Sequence, residues 1–374
     1  MSTERSGPLT SVKVLEVGGI GPNPFAGMLL ADMGAGVLRV DRPGAAMLPP
    51  QFDLTRRGHA VAELDMKSDA GREAVLRLAE AADALIEGYR PGVMERLGLG
   101  PAEVHARNPK LVYGRMTGYG QDGPMAQVAG HDINYISLAG ALGASRRAGE
   151  NPMFALNLVG DYGGGAMFLA LGVLAGIIEA RESGQGQVVD AAMVDGAAVL
   201  TTMFHGMRAG GMWPGEPGHN LLDSGAHFYE TYETSDGGFV AVGALEPQFY
   251  ARLLELLEVP ADEMPQFETA RWPEFKERLA GIFRTKSRAE WAELLEPEEA
   301  CATAVYGIDE AANHPHMAAR GSFTEIDGIS QPAAAPRFDR TPGRARPQVP
   351  AAGLDSVLES WGLDASERAA LTGN

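Results

Sequence analysis

The sequence predicts an α/β fold, a Rossmann-like large domain with a smaller α+β domain, and three observations carry that prediction. Short β-branched runs alternate with helical segments through the first 120 residues, and a glycine-rich turn joins the first run to the first helix. Past a Gly/Pro-rich stretch at 210–218 the texture changes to a hairpin followed by acidic amphipathic helices. Strands that alternate with helices form a parallel sheet covered on both faces. At 374 residues the chain also exceeds the size at which a single core usually stops growing, so two domains are expected.

Val12 to Val17 is the first strand; it enters Gly18-Gly19-Ile20-Gly21-Pro22-Asn23-Pro24, after which Phe25 to Met33 has helical spacing. Val37 to Asp41 is the second strand and Ala60 to Leu64 the third, followed by a helix over Lys67 to Ala82. Ala84 to Glu87 and Leu111 to Met116 supply the fourth and fifth strands. A long apolar helix runs from about Gly163 to Arg181, then a strand at Gln187 to Val189 and a helix through Asp190 to Met207. Phe228 to Thr234 and Gly238 to Val242 read as a hairpin around Ser235-Asp236-Gly237, with helices such as Glu246 to Leu257 and Arg288 to Leu295 behind it. Pro332 to Pro350, rich in Pro, Ala and Arg, is an extended tether to a last helix, Leu354 to Trp361. The expected division is a large domain over 1–209, completed by 332–374, a linker over 210–224 and a small domain over 225–331.

Formal charge is −18, which argues against nucleic acid as a partner. The surplus is uneven: the first 120 residues carry 14 Lys/Arg and 14 Asp/Glu, the remainder 17 against 35. A polyanionic ligand would therefore prefer the first third. Cys301 is the single cysteine, so no intrachain disulfide can form, and a reducing cytoplasm is the expected compartment. Met1 to Pro8 lacks the apolar core of a signal peptide, and Leu371-Thr372-Gly373-Asn374 is not a peroxisomal address. The longest apolar stretch, Gly163 to Ile178, spans 16 residues and reads as a buried helix rather than a membrane span.

The turn Gly19-Ile20-Gly21 resembles a dinucleotide fingerprint, but Pro24 replaces its third glycine, and Pro22 and Pro24 remove two N–H donors that a pyrophosphate would use. A plain tight turn, or the wall of another ligand site, remains open. Arg39, Arg42, Arg56, Arg57, Lys67, Arg90 and Arg96 fall at strand ends and the loops beyond them. Guanidinium groups there suit phosphates, unless they balance neighbouring acids. No HExxH, CxxC or Gly-x-Ser-x-Gly motif occurs, which argues against a metal site or a serine hydrolase.

His131, in Gly130-His131-Asp132-Ile133-Asn134-Tyr135, and Asp161, in Gly160-Asp161-Tyr162-Gly163-Gly164-Gly165, are the candidate bases. An imidazole and a carboxylate on opposite sides of one small molecule can move a proton from face to face. His131 could equally be a core histidine and Asp161 the N-cap of the helix that follows. The three glycines would then leave a bare helix start able to stabilise an oxyanion. Glu246, before Pro247, is either a helix N-terminal acid or a partner for a histidine.

Taken together, Val14 to Pro43, Gly88-Tyr89-Arg90-Pro91-Gly92, Arg115 to Gln121, Gly130 to Tyr135, Gly160 to Gly165 and Gly186 to Asp190 resemble the family III coenzyme A transferases, in order along nearly the whole chain. His131 and the segment Gly243 to Tyr250 make it similar to the branch of that family that racemises 2-methylacyl-CoA thioesters. The resemblance implies a Rossmann-like large domain including both termini, and two subunits threaded as an interlocked homodimer. It implies His131 and Asp161 as opposed acid/base residues, with Glu246 as partner of His131. It assigns CoA contacts to Arg42, Leu64, Asp65, Met66, Lys67, Gly88, Tyr89, Arg90, Arg96, Gly130, Asp132, Ile133, Asn134 and Tyr135. No metal or separate cofactor is expected, CoA being part of the substrate, and no membrane partner. The rival within the family is a CoA transferase in which Asp161 attacks the acyl-CoA and carries the acyl group as a mixed anhydride. A non-catalytic acyl-CoA binder and a nicotinamide-dependent enzyme are the alternatives outside it.

Overall fold

The computed structural model describes residues 5–44 and 48–372. The readings of the two termini therefore lie partly, at 1–4 and 373–374, outside the described residues. The chain divides into two compact units, one formed by Met1–Ala139, Ala155–Leu200 and Ala312–Asn374, the other by Gly140–Phe154 and Thr201–Ala311.

The first unit is built on six parallel strands: β1 (Lys13–Val17), β2 (Gly36–Asp41), β3 (Ala60–Glu63), β4 (Ala84–Glu87), β5 (Val112–Thr117) and β6 (Val188–Ala192). Their order across the sheet is β3-β2-β1-β4-β5-β6, the doubly wound arrangement. Val14, Leu15, Val17, Leu38, Val40, Leu85 and Ile86 are fully buried, as central strands covered on both faces require. The tether after Pro332 has no regular structure up to 350, yet it is docked: Arg344 N–H donates to Asp32 O, Arg346 to Ala31 O, and Val349 N–H to His59 O. It delivers Leu354, Leu358, Trp361 and Leu363 into the core beside β2 and β3.

Three elements differ from the sequence expectation. The apolar helix starts earlier, as a π-helical segment Leu158–Ala166 continuous with the α-helix Met167–Ser183. That rod of 26 residues is long and apolar enough to cross a membrane by length and composition alone, longer than the 16-residue stretch suggested. Its buried side is a core face: a Cβ at Gly114 of β5 would touch Leu169 and Val173, and one at Gly176 would touch Val112. Met167, Leu171 and Ile178 remain exposed on it. The strand expected at 187–189 extends to Ala192 because Asp190, Ala191 and Ala192 pair with Arg115, Met116 and Thr117. The helix expected over 190–207 consequently begins at Met193 and breaks into Met193–Leu200 and Thr202–Ala209, at the boundary between units.

The unit boundaries also move from 209/210 and 331/332 to 200/201 and 311/312. Gly140–Phe154 joins the second unit, where Arg147 Nη2 donates to the buried Glu230 at 2.7 Å. The hairpin Phe323–Ile326 with Ile329–Pro332 joins the first, where Arg57 binds Gln331 Oε1 at 3.0 Å and Pro332 O at 2.6 Å. Neither link is visible in local sequence.

The second unit has an antiparallel sheet, β7 (Tyr229–Glu233), β8 (Phe239–Gly243) and β9 (Ala302–Ala304), covered by the helices Pro247–Leu256, Trp272–Phe283 and Arg288–Leu295. His227 is fully buried among Phe228, Tyr250 and Phe275. Tyr250 O–H donates to Met264 O, so His227 Nε2–H donates to Tyr250 Oη at 2.7 Å. Burial, then the nearby Lys276, pulls His227 down to about 4. Burial would raise Glu230, but hydrogen bonds from Arg147 and Lys276 prevail and hold it at about 2. Below the ordinary histidine value the unfolded chain binds a proton that folded His227 refuses, so the stability that His227 contributes is complete above about pH 6.5 and is lost as pH drops toward 4. The expected loss is about 3 kcal/mol, with Glu230 adding to it below about pH 4.5. Denaturant midpoints of wild type and His227→Gln at pH 7, 5.5 and 4 isolate this contribution from those of other buried groups: wild type should lose stability relative to the variant as pH falls, and parallel profiles would contradict it.

Candidate active site

The crevice of a doubly wound sheet lies outside the carboxyl ends of the strands where the order reverses, here between β1 and β4. The loops leaving these strands meet backbone to backbone: a Cβ at Gly19 would lie 3.3 Å from the Gly88 Cα, and one at Gly88 3.1 Å from the Gly19 Cα. Gly18, with φ 56°, lies under the ring of Tyr89, whose hydroxyl would be 2.2 Å from an added Cβ. The Gly88–Arg90 loop is tied down by Glu87, which accepts the Tyr89 N–H at 2.7 Å and Arg115 Nε–H at 3.1 Å. Burial pushes Glu87 up to about 7, against the pull of those two partners.

The cations divide sharply. Arg39, Arg56 and Arg57 are buried: Arg39 pairs with Glu16 and Asp41, Arg56 with Asp41, and Arg57 with Asp32. These three balance acids inside the unit, which removes them from the expected phosphate set. Arg42, Lys67 and Arg90 are exposed on the loops after β2, β3 and β4, Arg96 is exposed at the end of the short helix Val93–Arg96, and none of the four is in an ion pair among the described residues. Leu64 and Met66 are buried in the core and can offer a ligand only backbone, while Asp65 and Lys67 face outward.

His131 is exposed at the start of the helix Asp132–Leu138, where its N–H donates to Asn134 Oδ1 at 3.0 Å. Asp161 is half-buried inside the π-helical segment rather than at a helix N-cap. Such segments are rare and often mark functional sites. Burial raises Asp161 above the ordinary carboxylate value; the Asn157 hydrogen bond at 3.1 Å and the nearby His131 lower it, and Asp132 raises it. The two candidate bases are also linked through Asp132, which follows His131 and accepts the Asp161 N–H at 2.8 Å. Gly21 abuts the same carboxylate, since a Cβ there would lie 3.3 Å from Asp161 Oδ2. The Gly18–Gly21 turn is thus a wall of this site, the intermediate of the readings left open by the sequence.

The glycines after Asp161 have a packing reason. A Cβ at Gly164 would sit 2.5 Å from Ala197 N, and one at Gly196 only 1.8 Å from Gly164 O, so two helices touch through bare backbone. The N–H groups of Gly160 and Asp161 are both taken by Asp132 Oδ2. A bare helix start holding an oxyanion at this point is therefore not what forms. Tyr135, expected to touch CoA, is buried and donates its hydroxyl to Gly130 O, closing the loop that carries His131. Ile133 and Asn134 are exposed beside it. Glu246 is in the second unit, exposed, as the N-cap of Pro247–Leu256. Among the described residues no group of three His, Cys, Asp or Glu side chains could hold a metal.

The profile of CoA-transferase family III matches residues 9–356. The chain belongs to CoA-transferase family III. Its family III relatives include proteins named α-methylacyl-CoA racemase from mouse and human. The mouse protein is 42% identical over 96% of this chain and 94% of its own length; the human protein is 40% identical over 96% and 99%. A succinyl-CoA–D-citramalate CoA-transferase of Chloroflexus aurantiacus is 30% identical over 92% of this chain and 91% of its own. Among solved family III structures, the Mycobacterium tuberculosis protein Rv3272 superposes with a TM-score of 0.75 at 26% identity, covering 93% of this chain and 97% of its own. Sequence reasoning missed one polar neighbour of this family III site, Asn157. The signal was an amide four residues before Asp161, a helical spacing hidden because the helix was expected to start later.

Proposed function

We propose that this chain interconverts (2R)- and (2S)-2-methylacyl-CoA thioesters by proton transfer at the α-carbon. The observation that carries the reading is that Asp132, the residue after His131, accepts the Asp161 N–H at 2.8 Å, which brings the two candidate bases together beside the Gly18–Gly21 turn. Support comes from relatives, 40–42% identical over nearly the full length, that are named as such racemases.

The α-proton of a thioester is weakly acidic, and its removal gives a planar enolate that has lost its handedness. One base takes the proton and the other returns one from the opposite face. A raised Asp161 binds the proton more tightly than an exposed carboxylate and so is the stronger base, closer to working pH. His131 serves the other face. Arg42, Lys67, Arg90 and Arg96 supply charge for the CoA phosphates. The transfer uses side chains alone, with CoA as part of the substrate. The exposed apolar stripe Met167, Leu171 and Ile178 is assigned to a second subunit of a homodimer, and the single cysteine agrees with a cytoplasmic enzyme.

Incubating one 2-methylacyl-CoA enantiomer with the chain in D₂O tests the reading. Deuterium at the α-carbon with loss of handedness and no added acid is the expected result. Turnover that strictly requires a second carboxylic acid would instead establish the family's transferase chemistry, with Asp161 as nucleophile.

A further inference from the structure

Asp132 is joined to both bases. It follows His131 in the chain, and its side chain is buried, with 6% exposure. Oδ2 accepts the N–H of Gly160 at 2.6 Å and the N–H of Asp161 at 2.8 Å. Oδ1 is buried with no hydrogen-bond partner among the described residues. Position 160 has room only for glycine, because a Cβ there would come within 2.7 Å of that same Oδ2. On the other side of His131, Tyr135 O–H binds Gly130 O, so the segment carrying the imidazole is fixed to its own helix at both ends. A rigid link therefore runs from the His131 backbone through one carboxylate to the backbone of Asp161.

We propose that Asp132 is a positioning residue for proton transfer, its carboxylate setting the separation of His131 and Asp161, rather than a CoA contact. The inference rests on the racemase reading. Two opposed bases must each reach the same carbon, so the distance between them is the quantity that has to be held. A displacement of about 1 Å in such a constellation costs about 10²-fold in rate. Two N–H donors converging on one ionised oxygen form a stronger clamp than neutral hydrogen bonds do. The carboxylate also adds negative charge beside Asp161, which raises the proton affinity of that base.

Three forms of the full-length chain, wild type, Asp132→Ala and Asp132→Asn, separate the possibilities when kcat and KM for α-deuteration are measured across pH. Alanine releases both N–H groups, and kcat should fall about 10²-fold or more while KM changes little. Asparagine keeps an acceptor oxygen without the charge. It should restore much of kcat and move the rate limb that reports Asp161 to lower pH. A rise in KM with unchanged kcat in Asp132→Ala would show a ligand contact and overturn the proposal, as would a limb that stays in place in Asp132→Asn. Should Asp132→Ala fail to fold, the asparagine limb alone decides. A wild-type chain that exchanges no α-proton sinks the racemase reading instead, an outcome distinct from the others.

Discussion

His131→Ala and Asp161→Ala are each expected to lower α-proton exchange by about 10²- to 10⁴-fold, the usual contribution of one positioned acid or base. CoA affinity should change little, because the free cations Arg42, Lys67, Arg90 and Arg96 come from other segments. The two variants should also differ in kind. Removing one base leaves the other able to take the proton it faces, so each variant should wash deuterium into one enantiomer faster than into the other while racemisation stops. Deuteration of both pure enantiomers, followed by mass spectrometry, reads this directly. Exchange at wild-type rate in both variants would remove the roles assigned to these residues. Asn157→Ala is a milder companion: without the amide, the Asp161 carboxyl should bind its proton more tightly still.

Arg39→Ala is expected to cost about 3–5 kcal/mol of stability, whereas Arg42→Ala should cost almost none. Arg39 lies between Glu16 and Asp41 and donates Nη2–H to Gly19 O at 3.1 Å. Glu16 is fully buried, and its other side-chain partner among the described residues is His59, whose Nε2 lies 2.9 Å from Oε2. Truncating Arg39 strands that carboxylate in the interior, and breaking one side of a buried pair carries the full desolvation cost of the other. It also frees the Gly18–Gly21 wall beside Asp161. Arg42, three residues on, is exposed and unpaired among the described residues, so its loss should appear as a KM for acyl-CoA raised about tenfold with an unchanged denaturation midpoint. Equal stability of the two variants would contradict the division drawn between buried and free arginines.

That division shows where reading the chain by itself reaches its end. Six β-branched runs separated by helical spacing identify the parallel sheet, because each strand announces itself within five or six residues. His131 and Asp161 stand out as titratable groups among glycines, and their neighbourhoods carry the family resemblance. The three glycines at 163–165 were legible as an anomaly but not as helix packing, since Gly196, against which Gly164 packs, lies on another helix. Arg39, Arg42, Arg56 and Arg57 look equivalent in a list of residues near strand ends; burial alone makes three of them structural.

Local pattern thus determined the sheet, the family and the two candidate bases. The tertiary structure decided which charges are free, that Asp161 sits within a π-helical turn, that Asp132 grips its backbone, and that residues 312–331 join the first unit. The physical reason is range. Strand and helix periodicity act over a few residues, whereas the partner of a buried charge comes from anywhere in the chain, as Arg57 shows by reaching Gln331, 274 positions away.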